Sequence, residues 1–506
     1  MPFINSLFSW INLKRLSQLE EMRMDPYLFQ SEEFEQLIRR AEKTEFGRKF
    51  DFSSIDDIPT FQSRVPIQTY DSLKPYIERM IKGESNVLWP KDVKWYAKSS
   101  GTTSDKSKFI PVSKDALEEC HFKAGKDIFA IYTNYYPEAK VFSGKSLTLG
   151  GSHQVSPFSD KTQVGDLSAI YIQNIPFFYD FLRTPDASIA LIGEFEEKIN
   201  RIAEVSVDEN VTSIVGVPSW NLVLLKHVLK VTGKSNILEV WPNLELFVHG
   251  GINFEPYREQ YRKIIPKDDM RYMETYNASE GFFAIQDDMS EPGMLLMMDY
   301  GIFYEFIPMD ELDADSPKAL TVNEVETNKN YAIVISTNGG LWRYLIGDTV
   351  KFTSLYPHKI VVSGRTKHYI NAFGEELMVD NAEKALKEAC SITGAIVTEY
   401  TVAPVFMDDE SKGRHQWLIE FDTQPSNIDT FNDVLDKALQ KVNSDYEAKR
   451  HKSVTLDKLE IIQAKKGLFM VWMKQRGKLG GQNKVPRLAN SREYIEQLLV
   501  LNQTKF

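Results

Sequence analysis

Between residues 194 and 335, segments with helical spacing alternate with short, wholly apolar runs, and this alternation restricts the fold more than any other feature of the chain. Residues 194–205 place Phe195, Ile199, Ile202 and Ala203 on one helical face. Residues 31–45 do the same with Phe34, Leu37, Ile38 and Ala41. The runs at 213–217, 244–248 and 331–335 have the length and composition of buried strands. Helices alternating with buried strands predict an α/β domain with substantial parallel sheet. Ligands of such sheets bind at the carboxyl ends of the strands.

The pattern changes near residue 363. Asp380, with Glu383 three residues on, reads as a capping box that opens a helix. Strands are predicted at 395–406 and 417–421, then a helix carrying Phe431, Leu435, Ala438 and Val442, then strands at 456–462 and 468–473. The Ser and Gly of residues 362–367 read as a connecting turn. The expected domains are therefore 1–362 and a smaller α+β unit, 363–506, with a hinge near 364–367. A chain of 506 residues is long enough for such a division.

Lys and Arg total 60 against 71 Asp and Glu, a net charge of -11. That excludes a general nucleic-acid or anionic-membrane surface but leaves room for a local basic pocket. Two cysteines, Cys120 and Cys390, lie far apart, which reads as a reduced, intracellular chain. Residues 1–13 are apolar without a basic leading segment, and they read as a packed or amphipathic helix rather than a signal peptide. No apolar run approaches the roughly 18 residues of a membrane span, so a cytoplasmic location is expected.

Several segments could carry chemistry. Ser99, Ser100, Thr102, Thr103 and Ser104 surround Gly101, with Lys106 and Lys108 just beyond. Short hydroxyls, a flexible backbone and two ammonium groups can wrap phosphate oxygens. The spacing is not that of a Walker A loop, and a solvated loop has the same composition. Thr275, Tyr276, Ser279 and Glu280 precede the apolar run 282–285 and would offer a stacking ring, hydroxyls and a carboxylate. Glu280 suits Mg²⁺, which takes one or two carboxylates plus phosphate oxygens; a polar turn between two strands is the plainer reading. Asp348 after Ile346-Gly347 could accept from both hydroxyls of a ribose, although Gly-Asp is also a common turn dipeptide. Residues 474–487 are basic and glycine-containing, which puts Lys484 on a mobile loop able to neutralise a phosphate, or on a solvated face. There is no H-E-x-x-H and no G-x-S-x-G. Gly250 and Gly251 are then read as close backbone approach to something flat, such as adenine.

Taken in order, these segments resemble the acyl-acid amido synthetases of the plant auxin-responsive type and their bacterial relatives, within the adenylating superfamily of acyl-CoA synthetases, peptide-synthetase adenylation domains and luciferases. The resemblance starts at residues 44–48 (TEFGR) and 65–70 (VPIQTY). It continues through 99–111, 276–281 and 344–350, and ends at 482–487. Residues 363–376 are similar to the hinge region of the wider superfamily. The resemblance implies a large N-terminal domain of mixed sheets and helices and a small, mobile C-terminal α+β domain. It implies ATP and Mg²⁺, with Ser99, Ser100, Thr102 and Thr103 as the phosphate loop. Tyr276 and Glu280 would serve nucleotide and metal, Asp348 and Arg365 the ribose, and Lys484 the reacting phosphate, with Lys367 as hinge. Two residues depart from the plant pattern: Ala278 stands in place of a serine and Leu345 in place of an arginine. Both put the plant hormones in doubt as substrates.

The implied reaction is adenylation of a small carboxylic acid followed by transfer of the acyl group to an amine, an amino acid in the family's manner, by a monomer or dimer. A ligase with coenzyme A as acceptor, and a non-catalytic protein that senses acid or nucleotide, are the alternatives. Tyr171, Phe177, Phe178 and Trp220 fit an aryl or apolar acid pocket, or plain core.

Overall fold

The computed structural model describes residues 2–100, 107–151, 153–155, 158–252, 254–312, 314–366, 369–408, 411–451, 456–476 and 485–504. The chain divides into two compact units. The larger comprises Met1–Ser99, Phe109–Gly251 and Tyr261–Thr366; the smaller comprises Ser100–Lys108, Ile252–Gln260 and Lys367–Phe506.

In the larger unit, eleven strands among the described residues form one sheet. Its order is Ile302–Pro308, Asn330–Thr337, Tyr344–Leu355, His358–Arg365, Met294–Leu296, Gly281–Ile285, Arg271–Ala278, Leu246–Gly250, Val211–Gly216, Lys145–Thr148, Arg183–Thr184. Neighbours are parallel from Arg271–Ala278 to the Arg183 edge. They are antiparallel from Arg271–Ala278 to the Ile302 edge. The predicted parallel sheet is thus only the first half of a mixed one. The antiparallel half is built from hairpins, which period-2 patterning cannot distinguish from parallel strands when both faces are buried.

Helices follow from local signals. Asp25 accepts from the Leu28 N–H at 3.1 Å and Pro26 opens the helix Pro26–Ala41, which buries Phe34, Leu37, Ile38 and Ala41. Glu194 caps Phe195–Ser206, whose Ile199, Ile202 and Ala203 are buried. The apolar N-terminus is a helix, Pro2–Met24. Its inner part is pinned by ions: Arg15 donates to Asp127 and Asp299, while Lys123 also reaches Asp299.

Glu33, on the second helix, lies beside that cluster. Burial, reinforced by Asp299 and Glu119 and opposed by Lys123 and a backbone donor at Gly301, pushes its carboxyl up to about 7. The folded chain therefore binds this proton more tightly than the unfolded chain does. The stability this contributes is full below the ordinary carboxylate range and is lost as pH rises through about 7. Glu33→Gln is expected to raise stability by roughly 1–3 kcal/mol at about pH 8 and to change it little at about pH 5. Melting temperatures at the two pH values test this; an equal shift at both would contradict it.

The smaller unit contains the three-stranded sheet Ile396–Val405, Arg414–Thr423, Glu460–Ala464. Phe421 meets Phe431 of the helix Ile428–Val442 on one face. Ala403 and Leu418 pack against Leu468, Phe469, Trp472, Ile495 and Leu498 on the other. Three expectations are corrected here. Residues 468–473 are not a strand but part of the helix Leu468–Gln475. Its buried Leu468, Phe469, Trp472 and Met473 fall at helical intervals, and Met470 is exposed. Asp380 is not the cap of the next helix. Met378 is the extended residue before Val379–Thr393, and the Asn381 side chain accepts its N–H at 3.0 Å. Glu383 instead accepts from the Tyr400 hydroxyl at 3.1 Å and pairs with Arg487. Finally, Ser363 to Arg365 do not form a turn; they complete the strand His358–Arg365.

Candidate active site

Asp348 is the centre of the site. It lies on Tyr344–Leu355 directly opposite Arg365 on His358–Arg365. Arg365 Nε donates to Asp348 Oδ1 at 2.7 Å, and the Tyr276 hydroxyl donates to Oδ2 at 2.8 Å. The side chains of Arg365 and Asp348 are 17% and 11% exposed, so the pair is shielded yet reachable. Gly347 sits at φ +97°, where an L side chain is strained, and its carbonyl accepts the Thr366 N–H at 2.8 Å. That turn of backbone fastens residue 366 beside Asp348.

Tyr276 is one of three buried residues of Arg271–Ala278, with Met273 and Thr275, on the strand where the sheet changes from parallel to antiparallel. Burial first, then the charge of Asp348, raises its hydroxyl well above the usual phenol range, so it remains a donor. Glu280 and Ser279 form the two-residue connection to Gly281–Ile285, the polar turn between strands that the sequence also allowed. Glu280 is half-buried, and its charge is among the causes that raise both Tyr276 and Tyr344. A single carboxylate fits Mg²⁺ held mostly through phosphate oxygens rather than in a protein cage. No cluster of three or more His, Cys, Asp or Glu able to hold a metal occurs among the described residues.

Gly250 ends Leu246–Gly250, where a Cβ would come within 2.5 Å of the Thr275 carbonyl oxygen. Close approach of the neighbouring strand is enough to account for that glycine. Gly251 is exposed, at φ +82°, and a Cβ there would meet only Val217, at 3.5 Å. Ser99 is half-buried near the end of the strand Trp95–Ser100, which also includes Ser100. Thr102, Thr103, Lys367 and Lys484 lie outside the described residues, as do the side chains of Phe177 and Phe178. Tyr171 packs against Phe122, ring centroids 5.1 Å apart.

Two structural roles were not read from the sequence, where residues 65–70 and Tyr344 entered only as parts of the resemblance. The segment 65–70 joins the other pieces of the larger unit. Gln68 pairs in parallel with Tyr344, and the Tyr70 hydroxyl accepts the Phe109 N–H at 2.9 Å. Tyr344 is fully buried on the strand of Asp348, and its hydroxyl has no hydrogen-bond partner. The alternation of Tyr344, Ile346 and Asp348 along one strand was the available signal. Leu345 points to the other face, into a cluster with Ile307, Ala332 and Val334. That departure from the plant pattern therefore leaves the Asp348 face untouched.

The chain is similar to known proteins along most of its length. Residues 15–270 match the GH3 family N-terminal domain, 295–365 the GH3 family central domain and 380–493 the GH3 family C-terminal domain. Indole-3-acetic acid-amido synthetase GH3.3 of Arabidopsis thaliana is 23% identical, covering 96% of this chain and 93% of its own. Jasmonoyl--L-amino acid synthetase JAR6 of Nicotiana attenuata is 25% identical over 67% of this chain and 68% of its own. The solved structure of GH3.15 acyl acid amido synthetase superposes with a TM-score of 0.60 at 18% identity, covering 97% of this chain and 95% of that one. A 2-hydroxyisobutyryl-CoA ligase bound to 2-HIB-AMP and CoA gives 0.57 at 13% identity, over 94% and 91%. The fold is that of the adenylating ligases. Within that class, the chain belongs to the GH3 family.

Proposed function

We propose that this chain is an ATP-dependent ligase that adenylates a small carboxylic acid and passes the acyl group to the amine of an amino acid. The observation that carries the reading is the shielded Asp348 carboxylate, held from two sides by Arg365 and Tyr276, in a chain matched by family models along most of its length. The acid's carboxylate attacks the α-phosphate of ATP, pyrophosphate leaves, and the amine then displaces AMP. Asp348 and Arg365 bind the ribose. Ser99, Ser100, Thr102 and Thr103 wrap the phosphates, Gly251, having no side chain, allows close approach of the base, and Lys484 neutralises charge developing on the reacting phosphate. Glu280 would hold Mg²⁺, which supplies charge neutralisation at the phosphate oxygens when bound. Lys367, next to the point where the larger unit ends, is the proposed hinge: a few backbone angles there suffice to swing a small domain between half-reactions. No described helix is long and apolar enough to cross a membrane. The cytoplasm is the proposed compartment, in keeping with the free thiols Cys120 and Cys390.

The likeness to a CoA ligase favours one competing reading, a thiol acceptor. Product mass decides between them. With an accepted acid, ATP and a mixture of amino acids and coenzyme A, the expected product is an N-acyl amino acid. A thioester as the only product would replace the amide reading.

A further inference from the structure

The geometry points to Tyr276 as the positioning residue of the sugar site: its hydroxyl fixes one oxygen of Asp348, so that the carboxylate presents both oxygens to the vicinal 2′- and 3′-hydroxyls of a ribonucleotide. The inference rests on the adenylation reading above and assigns the tyrosine a task other than stacking on a base.

The end torsion of an aspartate side chain is broad and roughly two-fold. A single donor leaves the carboxylate free to rock about that contact. Here two donors grip separate oxygens, Arg365 Nε on Oδ1 at 2.7 Å and Tyr276 Oη on Oδ2 at 2.8 Å. Each carboxylate oxygen has two lone-pair sites, so each can still accept one further hydroxyl. Two fixed acceptors on one carboxylate match a cis-diol better than a lone alcohol.

The placement of Tyr276 is not a by-product of strand pairing. Its strand lies four places from the strand of Asp348 in the sheet order. At roughly 4.8 Å per strand, a flat sheet would hold them about 19 Å apart. The sheet therefore curls to bring this hydroxyl to this carboxylate. The ring itself is 7% exposed and lies against Phe283, centroids 4.8 Å apart at 50°. A ring enclosed in this way offers little face to a base, whereas its oxygen is committed to Asp348.

The test compares ATP with 2′-deoxy-ATP and 3′-deoxy-ATP in acid-dependent pyrophosphate exchange by the full chain. The native protein is expected to prefer ATP over each deoxy analogue, in kcat/KM, by about tenfold or more, the range of a hydrogen bond to a charged group. Tyr276→Phe should raise the KM for ATP while leaving the KM for the acid unchanged, and its preference over at least one deoxy analogue should fall by about fivefold or more. Adding Tyr276→Phe to Asp348→Asn should change the preference no further, since the hydroxyl acts through that carboxylate. An unaltered ATP preference in folded Tyr276→Phe overturns the assignment. A native protein that exchanges equally well with all three nucleotides overturns it too, and removes Asp348 from sugar recognition. Absence of any exchange would instead strike the adenylation reading itself and take this assignment with it. Should Tyr276→Phe not fold, Arg365→Lys perturbs the same carboxylate from its other oxygen. A reduced preference there supports the fixed-carboxylate account, and an unchanged one overturns it.

Discussion

Glu305→Gln is expected to destabilise the larger unit by about 3–5 kcal/mol, the usual cost of stranding one partner of a buried ion pair. Arg343 Nε and Nη2 donate to Glu305 at 2.9 and 2.8 Å, with side chains 5% and 0% exposed. Nη1 of the same guanidinium donates to the carbonyls of Gln62 and Val65, at 2.8 and 2.6 Å. These bonds hold Arg343 at φ +42°, a left-handed backbone that arginine adopts only under constraint. Its carbonyl in turn accepts the Gln68 N–H at 2.8 Å, and Tyr344 begins the strand of Asp348. Removing the negative charge leaves a buried guanidinium facing neutral acceptors. The readout is the melting temperature of the full chain, expected to fall by roughly 4–7 °C. A fall of less than about 2 °C would mean the pair is replaceable by neutral hydrogen bonds.

Lys484→Ala is expected to lower acid-dependent ATP–pyrophosphate exchange by about a hundredfold or more, with ATP affinity kept within about tenfold. The reasoning is chemical. Charge on the phosphate oxygens grows as the pyrophosphate bond breaks, so a cation that meets them at that moment stabilises the transition state more than the bound substrate. Lys484 is followed within the same basic segment by Arg487, which is already engaged with Glu383 and stacked over Tyr400, ring centroid 5.0 Å away. Arg487 is therefore committed to the frame of the smaller unit, and Lys484 is the cation of this segment that the family resemblance assigns to the phosphate. Near-native exchange by Lys484→Ala with every acid the native protein accepts would remove it from the chemistry.

The legible parts of this chain were those governed by local rules. Apolar spacing located the helices Pro26–Ala41 and Phe195–Ser206 and the strands Val211–Gly216, Leu246–Gly250 and Asn330–Thr337. Residues 468–473 misled because a continuous apolar run has no period to separate helix from strand. The Asp348–Arg365 pair could have been counted from the sequence. Leu355 faces His358 across the hairpin, and stepping back equally on both sides brings Asp348 opposite Arg365, because the two register shifts between them cancel. The bond from Tyr276 to Asp348 could not be counted in that way, since it depends on the curl of a sheet across strands that do not pair with one another. Likewise nothing in the local pattern marks Arg343, whose backbone strain and ion pair appear only once Glu305 and the end of the helix Ile58–Arg64 are in place.

The most direct test of the account is the nucleotide product formed when purified protein meets ATP, Mg²⁺ and a library of carboxylic acids in the absence of any amine. Adenylation predicts AMP and pyrophosphate, released only with those acids the site accepts, and lowered together with exchange by about tenfold or more when Asp348 is replaced by alanine. Release of ADP and phosphate, or cleavage that is indifferent to the acid supplied, would contradict it.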